Sequence, residues 1–168
     1  MNGIASGMAN KKMKIKNSLK FIISVVGSEL VGFLGSFFTM SGTTSWYDAL
    51  VKPPLNPPTW IFAPVWIALY FIMGISLGMV WSSNSGYKKK AIILFVVQLA
   101  LNAIWTPVFF GVHMIGNSLA IIVLLWAAIV MTIFIFSKVS RVAAWLLAPY
   151  VVWVSFAAYL NVAFWVLN

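Results

Sequence analysis

The 168-residue chain has no cysteine, a single histidine and two acidic residues, Glu29 and Asp48. The lack of cysteine excludes a disulfide framework and thiol chemistry. His113 has no second histidine or carboxylate at metal-ligand spacing, so no metal site is expected. Charge of any sign is scarce: 8% of residues carry it, while 62% are hydrophobic and 16% aromatic. A soluble domain carries about 25% charged residues. A globule of this size could not hide so much apolar surface, and the lipid bilayer is the solvent that suits it. The 11 basic residues give a net charge of +9, a value that can point to nucleic acid. Here they stand at the ends of apolar runs, which is the pattern of membrane topology, and no nucleic-acid partner is expected.

Five apolar runs of about 20 residues, enough to cross a bilayer, lie at 21–40, 60–81, 91–111, 118–137 and 142–167. The expected fold class is therefore all-α and integral to the membrane: a five-transmembrane-helix bundle, residues 21–168, behind a basic N-terminal segment, residues 1–20. Residues 1–7, ahead of Met8, are a candidate leader. The first run lacks a small-x-small cleavage site and is read as a retained span, not a signal peptide. Lys and Arg alternate between the two sides, ten against one. The positive-inside rule then puts the N-terminus and the loops at Lys88 and Lys138 in the cytoplasm, with the C-terminus outside.

Between the first two spans lies a stretch that is rich in proline and tryptophan. Residues 46–66 hold five of the seven prolines and three of the nine tryptophans. Proline lacks the N–H and biases its predecessor toward extended backbone. This argues for a semi-rigid, non-helical lid, about 41–59, that closes over a site in the bundle and feeds Trp66 into it.

The spans carry few polar residues, and each is informative. Ser24, Ser28, Gly32 and Ser36 recur at i+4 in span one, a stripe that lets helices approach closely. Glu29, in the same span, is an intramembrane acid and by default a functional candidate; a structural, hydrogen-bonded glutamate is the equal alternative. Trp66 and Tyr70 share one face of span two, followed by Gly74 and Gly78. Gln98, Asn102 and Trp105 share a face of span three before Pro107, expected to kink it; interhelical hydrogen bonding accounts for the two amides as well as a ligand does. Span four is almost wholly apolar and is expected to face lipid or a partner subunit. Trp153, Ala157 and Asn161 line a face of span five, with Pro149 as a second expected kink. Trp81, Trp126, Trp145 and Trp165 fit interfacial anchors.

Three blocks carry a resemblance. They are Trp46-Tyr47 through Lys52-Pro-Pro, Asn56-Pro-Pro, Trp60 and Ala63-Pro-Val-Trp66 to Met73-Gly74; then Leu101-Asn102, Trp105, Pro107 and Phe109-Phe110-Gly111; then Pro149-Tyr150, Trp153, Leu160-Asn161 and Trp165. In this order they resemble the TspO family of tryptophan-rich sensory proteins, also known as translocator protein or peripheral-type benzodiazepine receptor. The resemblance implies a five-helix bundle, commonly a homodimer, that binds porphyrins such as protoporphyrin IX and haem and synthetic benzodiazepine- and isoquinoline-type ligands. Its implied ligand-binding residues are Tyr47, Pro57, Trp66, Tyr70, Asn102, Trp105, Trp153 and Ala157. Trp66 and Trp153 are the residues it ties to light- and oxygen-dependent porphyrin breakdown. No cofactor is required; the porphyrin is ligand or substrate. Animal members carry a proposed cholesterol motif at the end of the fifth helix. No Lys or Arg follows Arg141 here, which argues against cholesterol transport and fits a bacterial cell membrane.

Four readings stay open: a tetrapyrrole sensor or carrier, a photo-enzyme that degrades its ligand, a proton-coupled exporter using Glu29, and a purely structural bundle. Iron ligation is not expected, with one histidine and no cysteine. Shape and stacking would hold a haem.

Overall fold

The computed structural model describes the backbone of residues 2–42 and 46–168 and the side chains of 15–39 and 46–168. Residues 43–45 of the expected lid, and the side chains of Lys11, Lys12 and Lys14, lie outside the described residues. Among the described residues seven α-helices follow in order: α1 (Asn2–Gly42), α2 (Trp46–Ala49), α3 (Phe62–Ser82), α4 (Lys88–Thr106), α5 (Ile115–Ser137), α6 (Arg141–Leu146) and α7 (Ala148–Leu167). Among the described residues there is no strand. Five stretches are long and apolar enough to span a bilayer, namely Ile15–Thr39, Thr59–Ser82, Lys88–Gly111, Ile115–Ser137 and Arg141–Leu167. The five-span expectation therefore holds. α1 begins at Asn2, so one helix runs through both the basic segment and span one.

The prolines explain where the helices start and change. The lid is more helical than expected: α2 gives it one turn, and a 3₁₀ turn at Thr59–Ile61 leads into α3. Pro64 sits in the first turn of α3, where an N–H has no intrahelical partner anyway. Only the stretch around Pro53, Pro54, Pro57 and Pro58 is irregular. After Thr106 the helix widens into a π-type turn at Pro107–Gly111, closed by Val112 N donating to Pro107 O at 2.9 Å. The interruption expected near Pro149 is present. The fifth span breaks at Leu147, and Pro149 occupies the opening turn of α7.

α1 and α3 pack antiparallel through glycine. A Cβ built on Gly74 would lie 2.5 Å from Val25 Cα, and one on Gly78 would lie 2.6 Å from Phe21 Cδ1. Gly32 yields its space to the Tyr70 ring. Ser24 and Ser28 are buried in the same contact. Ser24, Ser28 and Gly32 of the small-residue stripe, and the Gly74–Gly78 pair, are thus used within the chain. Span four is two-sided: Val123, Leu124, Met131 and Phe134 are exposed, as a lipid- or partner-facing helix requires, and its other face is buried. In α5, Ile122, Leu125, Ile129 and Phe136 lie in the main core. It has the largest buried share of any span, 39%, whereas span one has 11%. In lipid, an apolar side chain does not reveal whether it meets protein or acyl chain, because both are equally apolar.

Candidate functional site

Tyr70 is the hub of a buried polar chain that ties three helices together. Its hydroxyl donates to Asn102 Oδ1 at 2.6 Å. Asn102 Nδ2 donates to the Tyr150 hydroxyl at 2.9 Å, and that hydroxyl donates to Gln98 Oε1 at 2.8 Å. Each partner is needed, since an unpaired polar group at membrane depth costs several kcal/mol. Gln98 Nε2 alone is left without a partner. The expected one-face grouping of Gln98 with Asn102 is present. Their amides serve first as glue between α3, α4 and α7.

Trp66 lies one turn before Tyr70. Its ring is tilted by 31° over Tyr70, with centroids 5.5 Å apart, and stands edge-on to Tyr150 at 6.4 Å. From α7, Trp153 meets Phe62 edge-on at 6.1 Å and Phe156 at 5.7 Å. Trp66, Trp105, Trp153 and Ala157 all pack, half-buried, against the main core. The indole N–H groups of Trp66 and Trp153 make no hydrogen bond with the described residues. Trp105 differs: its Nε1 donates to Asn161 Oδ1 at 3.1 Å, and Asn161 Nδ2 donates to Ile115 O at 3.0 Å. Trp105 also stacks on Phe109 at 5.2 Å and 19°.

The lid is anchored next to this group. Tyr47 is 2% exposed, between Phe110 and Phe164 at 5.7 and 5.4 Å. Its hydroxyl donates to Asn56 Oδ1 at 2.7 Å, closing the loop on itself. Lys52 Nζ donates to Tyr47 O and stands 3.6 Å over the Tyr47 ring. Burial pushes the Tyr47 phenol above its ordinary range, opposed by the Asn56 bond. Burial draws the Lys52 ammonium below its ordinary range, with Asp48 opposing. The side chain of Asn168 clamps Val51, accepting from its N–H at 2.9 Å and donating to its carbonyl at 3.3 Å. Trp46 stacks on His113 at 4.2 Å, and His113 adopts a left-handed φ of 61°.

The site residues expected from sequence therefore fall into two adjoining groups. Trp66, Tyr70, Asn102, Trp153 and Ala157 belong with the main core, and Tyr47 with a second cluster of Phe109, Phe110, Leu160 and Phe164. Trp105 packs against both. Pro57 is half-buried at the lid, its carbonyl 3.4 Å from Asn56 Nδ2. Glu29 is half-buried on α1, one turn before Gly32, where Tyr70 packs. Tyr150, Phe62 and Asn56 were not singled out from sequence. Tyr150 stands three residues before Trp153 on the same helix face, a spacing that could have marked it.

The TspO/MBR family model matches residues 24–166. This chain belongs to the TspO/MBR family. It is 46% identical over 142 residues to the tryptophan-rich protein TspO of Chlorobaculum tepidum, covering 82% of this chain and 89% of that one. It is 41% identical over 139 residues to the translocator protein of Bos taurus, covering 81% and 82%. It is 38% identical over 152 residues to the tryptophan-rich protein TspO of Archaeoglobus fulgidus, covering 90% and 99%. As a TspO/MBR member with five apolar spans, the protein is integral to the membrane.

Proposed function

We propose that this TspO/MBR member is a membrane receptor or carrier for porphyrins, and that it also accepts flat benzodiazepine- or isoquinoline-type molecules at the same place. The observation that carries this reading is the pair of half-buried tryptophans, Trp66 on α3 and Trp153 on α7, both packed on one core and both with uncommitted indole N–H groups. Indole faces suit a macrocycle, and an apolar site with few polar groups suits a drug-sized molecule. Tyr70 and Asn102 hold the floor, and Tyr47 and Pro57 belong to the cover. The second amide hydrogen of Asn102, spent on neither tyrosine, is the donor that this reading assigns to a carbonyl or propionate. Two tethers, Tyr47 to Asn56 and Asn168 to Val51, set how readily the lid opens.

The photochemical reading rests on the same tryptophans. A photoexcited porphyrin beside an oxidisable indole, with oxygen as the co-reactant, needs no acid–base pair. Illumination of the bound complex tests it. Replacing both Trp66 and Trp153 by Phe is expected to slow light-driven porphyrin loss. Undiminished loss in the double variant would refute this role. One porphyrin converted per protein without release would mark a binder, and repeated turnover an enzyme. The exporter reading has one observation in its favour, a half-buried carboxylate within a span. It requires Glu29→Gln to abolish proton-driven uptake, and unaltered uptake would remove it.

A further inference from the structure

A groove of about 550 Å³ opens between the end of α5 and the start of α6 and α7. It lies away from the aromatic site. Ser137, Arg141 and Trp145 stand at its mouth, and Ile133, Ala144, Ala148 and Val151 form its floor. Ser137 ends one apolar span and Arg141 begins the next, so the mouth lies at the edge of the hydrocarbon layer. Val151 lies past the break at Leu147, so the floor runs from the boundary at Arg141 into the apolar part of the fifth span. The groove exists because Ala144 and Ala148 put only a methyl where a larger side chain would fill it.

The mouth offers positive charge and donors with nothing in the protein to meet them. Arg141 is exposed and makes no ion pair or hydrogen bond through its guanidinium among the described residues. The chain has only two acidic residues, Glu29 on α1 and Asp48 in the lid, and none in α5, α6 or α7. The Trp145 indole, 76% exposed, also donates to no described residue. Lys138, next in sequence to Ser137, stands over the Phe134 ring at 4.9 Å and carries charge of the same sign. Ser137 spends its hydroxyl hydrogen on Phe134 O at 2.7 Å and leaves the donor role to Arg141 and Trp145.

We propose that this groove is a binding site for an anionic phospholipid, with its phosphate on Arg141 and Trp145 and one acyl chain along the alanine floor. Charge complementarity selects the headgroup, and the apolar floor selects a lipid over a soluble anion. A guanidinium at the boundary reads phosphate with a planar fork of donors. A floor of Ile133, Ala144, Ala148 and Val151 has no use for a free ion.

The test is native mass spectrometry of the full chain in detergent, titrated with palmitoyl-oleoyl phosphatidylglycerol or with the phosphatidylcholine of the same chains. Retained phosphatidylglycerol adducts are expected to exceed phosphatidylcholine adducts. Arg141→Gln is expected to weaken the anionic adduct roughly fivefold, the effect of one basic side chain at an anionic surface, and Lys89→Gln to leave it unchanged. Ala148→Leu, which fills the floor, is expected to lower both adducts. If its melting temperature falls, Val151→Trp replaces it as the blocking change. Equal adducts for the two lipids, or no loss in Arg141→Gln, would overturn the site. So would an undiminished adduct in a folded floor variant, which would mean adsorption to surface charge. Displacement by millimolar inorganic phosphate would overturn the lipid in favour of a small anion.

Discussion

A single hydroxyl, that of Tyr150, joins α7 to α4 twice, accepting from Asn102 and donating to Gln98. Tyr150→Phe removes both bonds and strands two buried amides. Interhelical hydrogen bonds in membranes average ~0.6 kcal/mol and reach ~1.7, so a loss of about 1–2 kcal/mol is expected, read as a lower melting temperature in detergent. Gln98→Met removes an unpartnered Nε2 but strands the Tyr150 hydroxyl hydrogen, so a loss smaller than that of Tyr150→Phe is expected by the same measurement. At the lid, Tyr47→Phe loses the Asn56 bond, worth about 0.5–1.5 kcal/mol. The Tyr47 phenol is raised above its ordinary value of 10.0 by burial. Its stabilising contribution is therefore full below pH ~10 and is lost as the pH climbs through the folded value. The melting-temperature gap between the parent and Tyr47→Phe should close over that window. The faces that carry Gln98, Asn102, Trp105 and Trp66 were legible in the sequence from helical spacing. The partners were not, because spacing places a residue on a face without saying which helix it meets. Tyr150 and Asn56 take their roles only from that pairing.

At the scale of elements, glycine decides the α1–α3 contact. Gly74→Ala sets a Cβ 2.5 Å from the backbone Cα of Val25, which no side-chain rotation can relieve. It should separate the helices and cost about 1–3 kcal/mol, the range for overpacking. Gly27 sits on the same helix as Val25 with nothing within 4 Å of a built Cβ. Gly27→Ala should be neutral or stabilising by up to ~1 kcal/mol through helix propensity. Thermal melting of the two variants side by side checks the pair. The five spans were legible because length and apolarity are set by bilayer thickness. The burial of α5 was not, since lipid and protein interior reward the same side chains. The lid was legible as a special stretch but misjudged in detail, because a proline in a helix's first turn starts the helix and does not break it.

For the whole molecule, we propose from the positive-inside rule that the ends rich in Lys and Arg face the cytoplasm and that the lid and C-terminus face outside. The absence of cysteine gives a clean background for testing this. Asn84→Cys should react with an impermeant maleimide only after cells are opened, and Leu55→Cys in intact cells. The reverse pattern would invert the topology. The Gly74–Gly78 face is covered by α1 and is not open to a second copy of the chain. We propose that the bundle holds a porphyrin beside Trp66 and Trp153, and a dark titration of the purified protein with protoporphyrin IX, followed by tryptophan quenching, is the direct test. The parent, Trp153→Phe and Trp145→Phe would be compared, Trp145 lying at the far groove. Saturable, roughly stoichiometric binding is predicted, about two- to tenfold weaker in Trp153→Phe for the loss of one aromatic contact, and unchanged in Trp145→Phe. Linear quenching that ignores Trp153 would mean that porphyrin only partitions into detergent, and would contradict the account.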